Sequence, residues 1–322
     1  MITRSDIAAH LERGIRTGWL LARGDYSRLT AAFVGERPSD GAFEDYADLG
    51  TTPWPLQRGG KLGASGTHGE TGAVKVGDFG AGGALSIIGA PEQAMRVANV
   101  DFDIGIGIEH NAINDDRSGD LEAWARSARV QFDRHRDFLV FDALNAGAGT
   151  TYGNGYDNLS FFNDAHIDPG AENQTGQDNL FTLALSLDNF ETVKVAAAKF
   201  LDDRGQPGGF NHTILVVPPD LERTAFQIGS NPEAFDTGNR EANPYAGRMN
   251  VLVAPGGWLD TASWFIIDPS LPQKPLYLQI RQEPELVIWD DESQGSGIRY
   301  YKWSERLNLF YGDWRLAAQG NT

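Results

Sequence analysis

Val97-Ala-Asn-Val-Asp-Phe-Asp-Ile-Gly-Ile-Gly-Ile108, followed by Asp120-Leu-Glu-Ala-Trp-Ala-Arg-Ser-Ala-Arg-Val-Gln-Phe-Asp-Arg-His-Arg-Asp-Phe-Leu-Val-Phe-Asp-Ala-Leu144, carries the pattern on which the fold turns. In the first stretch Phe102, Ile104, Ile106 and Ile108 alternate with Asp103, Gly105 and Gly107, the period of a strand with one buried face. In the second, Leu121, Trp124, Ala128, Phe132, His135, Leu139 and Asp142 recur at steps of three or four. That spacing predicts a helix with a mostly apolar stripe over a charged face. At about 1.5 Å per residue it runs roughly 37 Å, well beyond the usual three turns. Asn114-Asp-Asp-Arg-Ser-Gly119 breaks the chain before it, and Gly147 and Gly149 end it.

Upstream, residues 4–22 read as a helix with Ser5 as N-cap and Ile7, Leu11, Ile15 and Trp19 at i+4 spacing. Gly14 and Gly18 weaken it, so it is expected to be firm only when packed on a partner. Twelve glycines fall between Gly50 and Gly89, with few large apolar residues from Trp54 to Phe79. Such a segment offers little to bury and cannot form its own core. Alternating pieces such as Ala73–Phe79 point to a long, flexible β-hairpin whose role is to reach a neighbour.

Downstream, residues 148–180 are loop-rich, and a second helix is predicted over Asp188–Leu201, stopped by Asp202-Asp-Arg-Gly-Gln-Pro-Gly-Gly209. His212–Val217 reads as a buried strand and Pro218-Pro-Asp-Leu-Glu222 as the start of another helix. Four strand signals close the chain: Met249–Val253, Ser263–Asp268, Leu286–Asp290 and Tyr300–Tyr311. The result is an α+β chain without internal repeats.

Composition removes several classes of function. With no cysteine among 322 residues, disulfides, thiolate metal sites and cysteine nucleophiles are excluded. Forty-four acidic against 27 basic residues give a formal charge of −17, which repels nucleic acid. No apolar run approaches the roughly 20 residues needed to span a bilayer. Met1-Ile-Thr-Arg-Ser-Asp6 lacks a signal-peptide layout, so folding in the cytoplasm is expected.

No catalytic constellation stands out. Nucleophile elbow, His-Glu-x-x-His pair and phosphate loop are all missing, and Gly80-Ala-Gly-Gly-Ala84 precedes no helix that could hold a phosphate. The six histidines (His10, His68, His110, His135, His166 and His212) are not at ligand spacing, and His135 sits on the helix stripe, where packing with a hydrogen bond is the expected role. Asp115-Asp116, Asp202-Asp203 and Asp290-Asp291 border turns and read as solvated carboxylates. Trp124, Trp258, Trp264, Trp289, Trp303 and Trp314 read as core and interface anchors.

Several stretches resemble the major head subunit of Mu-like tailed phages. They are Phe102-Asp-Ile-Gly-Ile-Gly-Ile-Glu-His-Asn-Ala-Ile-Asn-Asp-Asp116, Tyr156-Asp-Asn-Leu-Ser-Phe-Phe-Asn-Asp-Ala-His166, Trp264-Phe-Ile-Ile-Asp-Pro-Ser-Leu-Pro-Gln-Lys-Pro-Leu-Tyr-Leu-Gln-Ile-Arg-Gln-Glu-Pro-Glu-Leu286 and Leu309-Phe-Tyr-Gly-Asp-Trp-Arg-Leu-Ala317. The resemblance implies the tailed-phage major capsid (Hong Kong 97-type) fold. Its parts would be an N-terminal arm (1–42), an extended glycine-rich hairpin loop (43–96), a peripheral domain with the spine helix (97–147), an axial α/β domain (148–275) and a return β segment of the peripheral domain (276–322).

The implied function is structural, not enzymatic: pentamers and hexamers of an icosahedral phage head around double-stranded DNA. The implied partners are copies of the chain itself, a separately encoded scaffold, a portal, a possible decoration protein and packaged DNA without sequence-specific contact, with no membrane and no cofactor or metal. The implied location is the virion, after folding in the host cytoplasm. Inter-subunit contact is expected at Trp19, Trp54, Lys61, Lys75 and Phe79. Some members of the fold crosslink a hairpin lysine to an asparagine; Lys61 and Lys75 are expected to make ordinary salt bridges instead. The alternatives are an encapsulin-like nanocompartment shell protein holding protein cargo and, from a different class, a cytoplasmic enzyme whose site is assembled from scattered carboxylates.

Overall fold

The structure is a computed structural model that describes residues 13, 15–22, 24–48, 93–109, 120–167, 176–202, 207–232, 242–290 and 297–321. The chain divides into two units. The first takes Met1–Glu44, Val97–Asp142 and Tyr277–Phe310; the second takes Asp45–Arg96, Ala143–Leu276 and Tyr311–Thr322.

Two strands near the start, β1 (Val34–Pro38) and β2 (Phe43–Asp48), carry no clear alternation and are not predicted from sequence. A two-stranded ladder joins β2 to β3 (Gln93–Ala98), with Arg96 gripping both carboxylate oxygens of Asp45 at 2.7 and 2.9 Å. The predicted strand after it is β4 (Val100–Glu109), and Phe102, Ile104, Ile106 and Ile108 do share its more buried face. Val97 belongs to β3 instead.

The first unit is built on a four-stranded sheet ordered β1-β9-β10-β4, in which β9 is Leu276–Asp290 and β10 is Ile298–Tyr311. β10 runs antiparallel to β4, with Tyr300 opposite Gly107 and Trp303 opposite Ile104. Gly107 has a steric reason: a Cβ there would lie 2.9 Å from the Tyr300 ring, which occupies the space a side chain would need. Tyr301, Trp303, Glu305, Leu307 and Leu309 form the buried row of β10. Against this face lies the long helix, α1 (Asp120–Asn145), at 26 residues one longer than the pattern predicts. Ala125, Ala128 and Phe132 of α1 form one cluster with Ile15, Trp19, Tyr301 and Trp303.

Residues 15–21 are helical, while residues 1–12 lie outside the described part of the chain. The packing partner that this weak helix needs is found in its own chain. Trp19 packs edge-on to Phe132 at 6.0 Å and tilted on Trp303 at 5.6 Å. Gly18 permits the approach, since a Cβ would fall 2.7 Å from Glu122 Cγ on α1. The residue that lowers helix propensity thereby lets the two helices touch.

The second unit holds a five-stranded sheet, β5-β11-β8-β6-β7, with β5 Leu180–Phe181, β6 Ile214–Val217, β7 Asn250–Val253, β8 Trp264–Ile267 and β11 Ala317–Gly320. β6 and β8 are buried along their whole length, as their continuous apolar runs require. The second helix, α2 (Leu187–Ala197), is capped by Ser186, whose hydroxyl accepts from Asn189 N at 3.2 Å, and it ends four residues before the predicted stop. The third, α3 (Glu222–Ser230), follows a single 3-10 turn at Pro219–Leu221.

The chain passes from the first unit to the second after Phe310, and β11 pairs antiparallel with β8 and parallel with β5. One strand expectation is corrected. β9 begins at Leu276 rather than Leu286, since the polar run Gln279–Glu285 conceals it. Gln279 is fully buried there, and its amide donates to Asn99 Oδ1 at 2.7 Å and to the Val97 carbonyl at 3.3 Å.

Candidate functional site

Part of the charged side of α1 is not solvated as its pattern suggests. Arg129, Asp133, Arg136 and Asp137 are all buried, and each is held by a partner from another element or a neighbouring turn. Arg136 donates from Nε to Glu305 Oε2 at 3.0 Å and from Nη2 to Glu283 Oε2 at 3.0 Å. Glu305 is fully buried in the otherwise apolar inward row of β10, so the guanidinium neutralises a charge that the sheet would not otherwise tolerate. The other carboxylate oxygen, Oε1, has no hydrogen-bond donor among the described residues, and His135 Nδ1 lies 3.5 Å from it. His135 also meets the edge of Phe102 at 4.5 Å, which is the packing role its stripe position suggests. Burial pulls the Arg136 guanidinium down, but Glu305 and Glu283 outweigh it and hold the group above its ordinary range. Burial raises the Asp133 carboxyl against the pull of Arg129 and Arg136.

One turn on from Asp133, Asp137 binds the chain that follows the helical residues 15–21. Tyr26 Oη donates to its Oδ2 at 2.9 Å, Leu29 N to the same oxygen at 2.8 Å, and Thr30 N and Oγ1 to Oδ1 at 3.3 and 2.5 Å. Burial and then the Asp137 carboxylate push the Tyr26 phenol up to about 12.

The second unit has its own buried polar centre. His166 meets Asp157 Oδ2 through Nδ1 at 2.5 Å and Asn179 Oδ1 through Nε2 at 3.1 Å, with its ring stacked on Trp314 at 4.1 Å and 5°. Asn179 then donates to the carbonyls of Phe161, Trp314 and Ala317, which ties the 157–166 loop to the closing segment of the chain. An Asp–His pair invites a catalytic reading, but the ring is fully buried and both nitrogens are engaged, so neither is left to take a proton from a substrate. His212 is buried with Nε2 donating to the Arg315 carbonyl at 3.0 Å, and burial pushes its imidazole down to about 4. Lys194, which donates to the His212 carbonyl, is lowered by burial against the pull of Asp268.

Of the predicted inter-subunit residues, Trp54, Lys61, Lys75 and Phe79 lie outside the described residues. Trp19 is described, and at 8% exposure it packs with Phe132 and Trp303 of the same chain. The residues that reasoning from sequence misses are Arg136, Asp137 and Glu305. A signal existed for the last: a glutamate stands mid-row among Tyr301, Trp303, Leu307 and Leu309, where alternation demands an apolar side chain. Among the described residues no group of three or more His, Asp or Glu could hold a metal ion, and no helix is long and apolar enough to cross a membrane.

A profile of the family described as phage capsid protein matches residues 100–315. No curated protein matches the chain. Among solved structures, the procapsid of bacteriophage JBD30 is similar at 17% identity and a TM-score of 0.51, over 98% of this chain and 74% of that one. A structure of Mycobacterium phage Patience is similar at 12% identity and 0.53, over 100% and 90%. The capsid of an empty GTA particle is similar at 11% identity and 0.53, over 91% and 89%. At these identities the likeness speaks for the fold, which is that of the tailed-phage capsids.

Proposed function

Because the chain belongs to the phage capsid protein family, we propose that this structural capsid subunit is the major head protein of a Mu-like tailed phage. Copies assemble into pentamers and hexamers of an icosahedral shell that encloses double-stranded DNA without gripping it, as the charge of −17 favours. The role is structural and not enzymatic, and the product resides in the virion after folding in the host cytoplasm. A scaffold protein and a portal take part in assembly, and a decoration protein is a further partner.

The observation that carries this reading is the family match over residues 100–315, which takes in the long helix and most of both sheets. The Mu-like assignment rests on the four sequence stretches quoted above. The glycine-rich segment 50–89 supplies the reach to a neighbour, with Trp54, Lys61, Lys75 and Phe79 as contacts.

Electron microscopy of the expressed chain, alone and with candidate scaffold, tests the reading. Closed particles or capsomers are expected. Deletion of Pro55–Gly83 should leave a soluble, folded subunit that closes no shells. Intact particles from that deletion would refute the neighbour-reaching role, and a strictly monomeric chain under every assembly condition would refute the shell itself.

A further inference from the structure

His166 and Asn179 are fully buried, as is the Asp157 carboxylate beside them. The hydrogen bonds around Asn179 fix which way its amide points. Its Nδ2 donates to the carbonyls of Phe161, Trp314 and Ala317 at 2.9, 3.2 and 3.2 Å, and carbonyl oxygens can only accept. Its Oδ1 faces the other way, accepts from Asn163 N at 2.8 Å, and meets His166 Nε2 at 3.1 Å. Turning the amide over would set its nitrogen against the Asn163 donor and its oxygen against three acceptors.

An acceptor oxygen facing Nε2 calls for a hydrogen on that nitrogen. On the other side of the ring, Nδ1 meets Asp157 Oδ2 at 2.5 Å, while Asp157 Oδ1 accepts from Leu159 N at 3.2 Å. A ring that donates at both nitrogens is an imidazolium. The ring face agrees, for it lies parallel on the Trp314 indole, the contact a cation makes with an aromatic face. Burying such a pair is costly unless its hydrogen bonds are met, as they are at both ring nitrogens and both carboxylate oxygens. Other charges surround it. Arg315 lies 4.8 Å from the centre of the same indole and is held by Asp313 at 3.1 Å. Burial raises the Asp178 carboxyl and Asp164 adds to the rise, while Leu180 N and His166 pull it down.

We propose that His166 is a buried imidazolium which, paired with Asp157, fixes Asn179 and through it seats the closing strand β11. Without one ring proton, the lone pair on Nε2 would face Asn179 Oδ1, and the amide could turn away only by dropping its three carbonyls. The Asn179 carbonyl also accepts from Gln319 N at 2.8 Å, so the disturbance reaches β11 directly. The last strand of the sheet is thereby held in place by a proton. This assignment does not depend on the shell-building reading.

Nitrogen NMR of the full-length subunit with labelled histidine tests it at about pH 7.5, where an ordinary histidine is mostly neutral. One imidazole should show both nitrogens protonated, and that signal should be missing from His166→Gln. Should that variant fail to fold, Asp157→Asn removes the counter-charge, and the same ring should fall back to one protonated nitrogen. In Asp157→Asn the Gln319 amide should also exchange at least about tenfold faster, with the amides of β6 unchanged. A wild-type spectrum without a doubly protonated ring would overturn the proposal. So would a doubly protonated ring that persists in His166→Gln, or a Gln319 amide that Asp157→Asn leaves protected.

Discussion

Replacing Arg136 by Met should be among the most damaging single changes in the first unit. The substitution keeps an apolar stem of similar length but removes the cation that holds Glu305 and Glu283 at 3.0 Å each. Glu305 is 0% exposed, so its charge would be left buried in the sheet without the guanidinium. Breaking one side of a buried pair costs roughly 3–5 kcal/mol. At about 2–4 °C per kcal/mol for a chain of this size, the melting temperature should fall by roughly 6–20 °C. The double variant Arg136→Met with Glu305→Leu removes both charges and should recover most of the loss, because apolar replacement of a buried pair is often close to neutral. Urea unfolding of the wild-type subunit, the two single variants and the double variant, followed by tryptophan fluorescence, measures the cycle. A single variant that loses less than about 1 kcal/mol, or a double variant worse than the single, would refute the account of the helix as neutralising a charge in the sheet.

Other predictions concern the second unit and the core. His212 is held neutral, with its pKa pushed down to about 4 from an ordinary value near 6.5, so the unfolded chain binds the proton first. Its contribution is fully present above about pH 6.5 and is lost as pH falls toward 4, amounting to roughly 3 kcal/mol. Urea midpoints from pH 7.5 to 4.5 should therefore drop, and His212→Gln should flatten that drop; an unchanged slope would contradict the assignment. Gly320→Ala places a methyl 2.2 Å from the Trp264 ring and should cost about 1–3 kcal/mol, whereas Gly256→Ala meets nothing within 4 Å and should be close to neutral in thermal melts. Trp303→Ala should lose about 3–5 kcal/mol from the cluster it shares with Trp19 and Phe132, read by the same melts.

Much of the architecture is legible because its signals are local. The alternation from Phe102 to Ile108 and the three-four spacing from Leu121 to Leu139 each specify an element from within it. The part that is not legible depends on residues far apart in sequence. Gln279 reads as exposed until Asn99 is placed beside it, and Asp137 reads as one more surface acid until residues 26–30 fold onto it. β11, Ala-Ala-Gln-Gly, has neither alternation nor branched side chains and is a strand only because β5 and β8 flank it. The histidines illustrate the same point: spacing argues against a ligand set, but only the fold shows His166 pinned between Asp157 and Asn179.

The position of β11 also bears on biosynthesis. Four of the five strands in its sheet come from residues 180–267, yet the fifth, from residues 317–320, sits between β5 and β8. On the ribosome this sheet must wait, split, until its last-made strand emerges and slots into place. Until then the facing edges of β5 and β8 stay unpaired and open to wrong partners, so truncations that remove those few residues should yield insoluble chains.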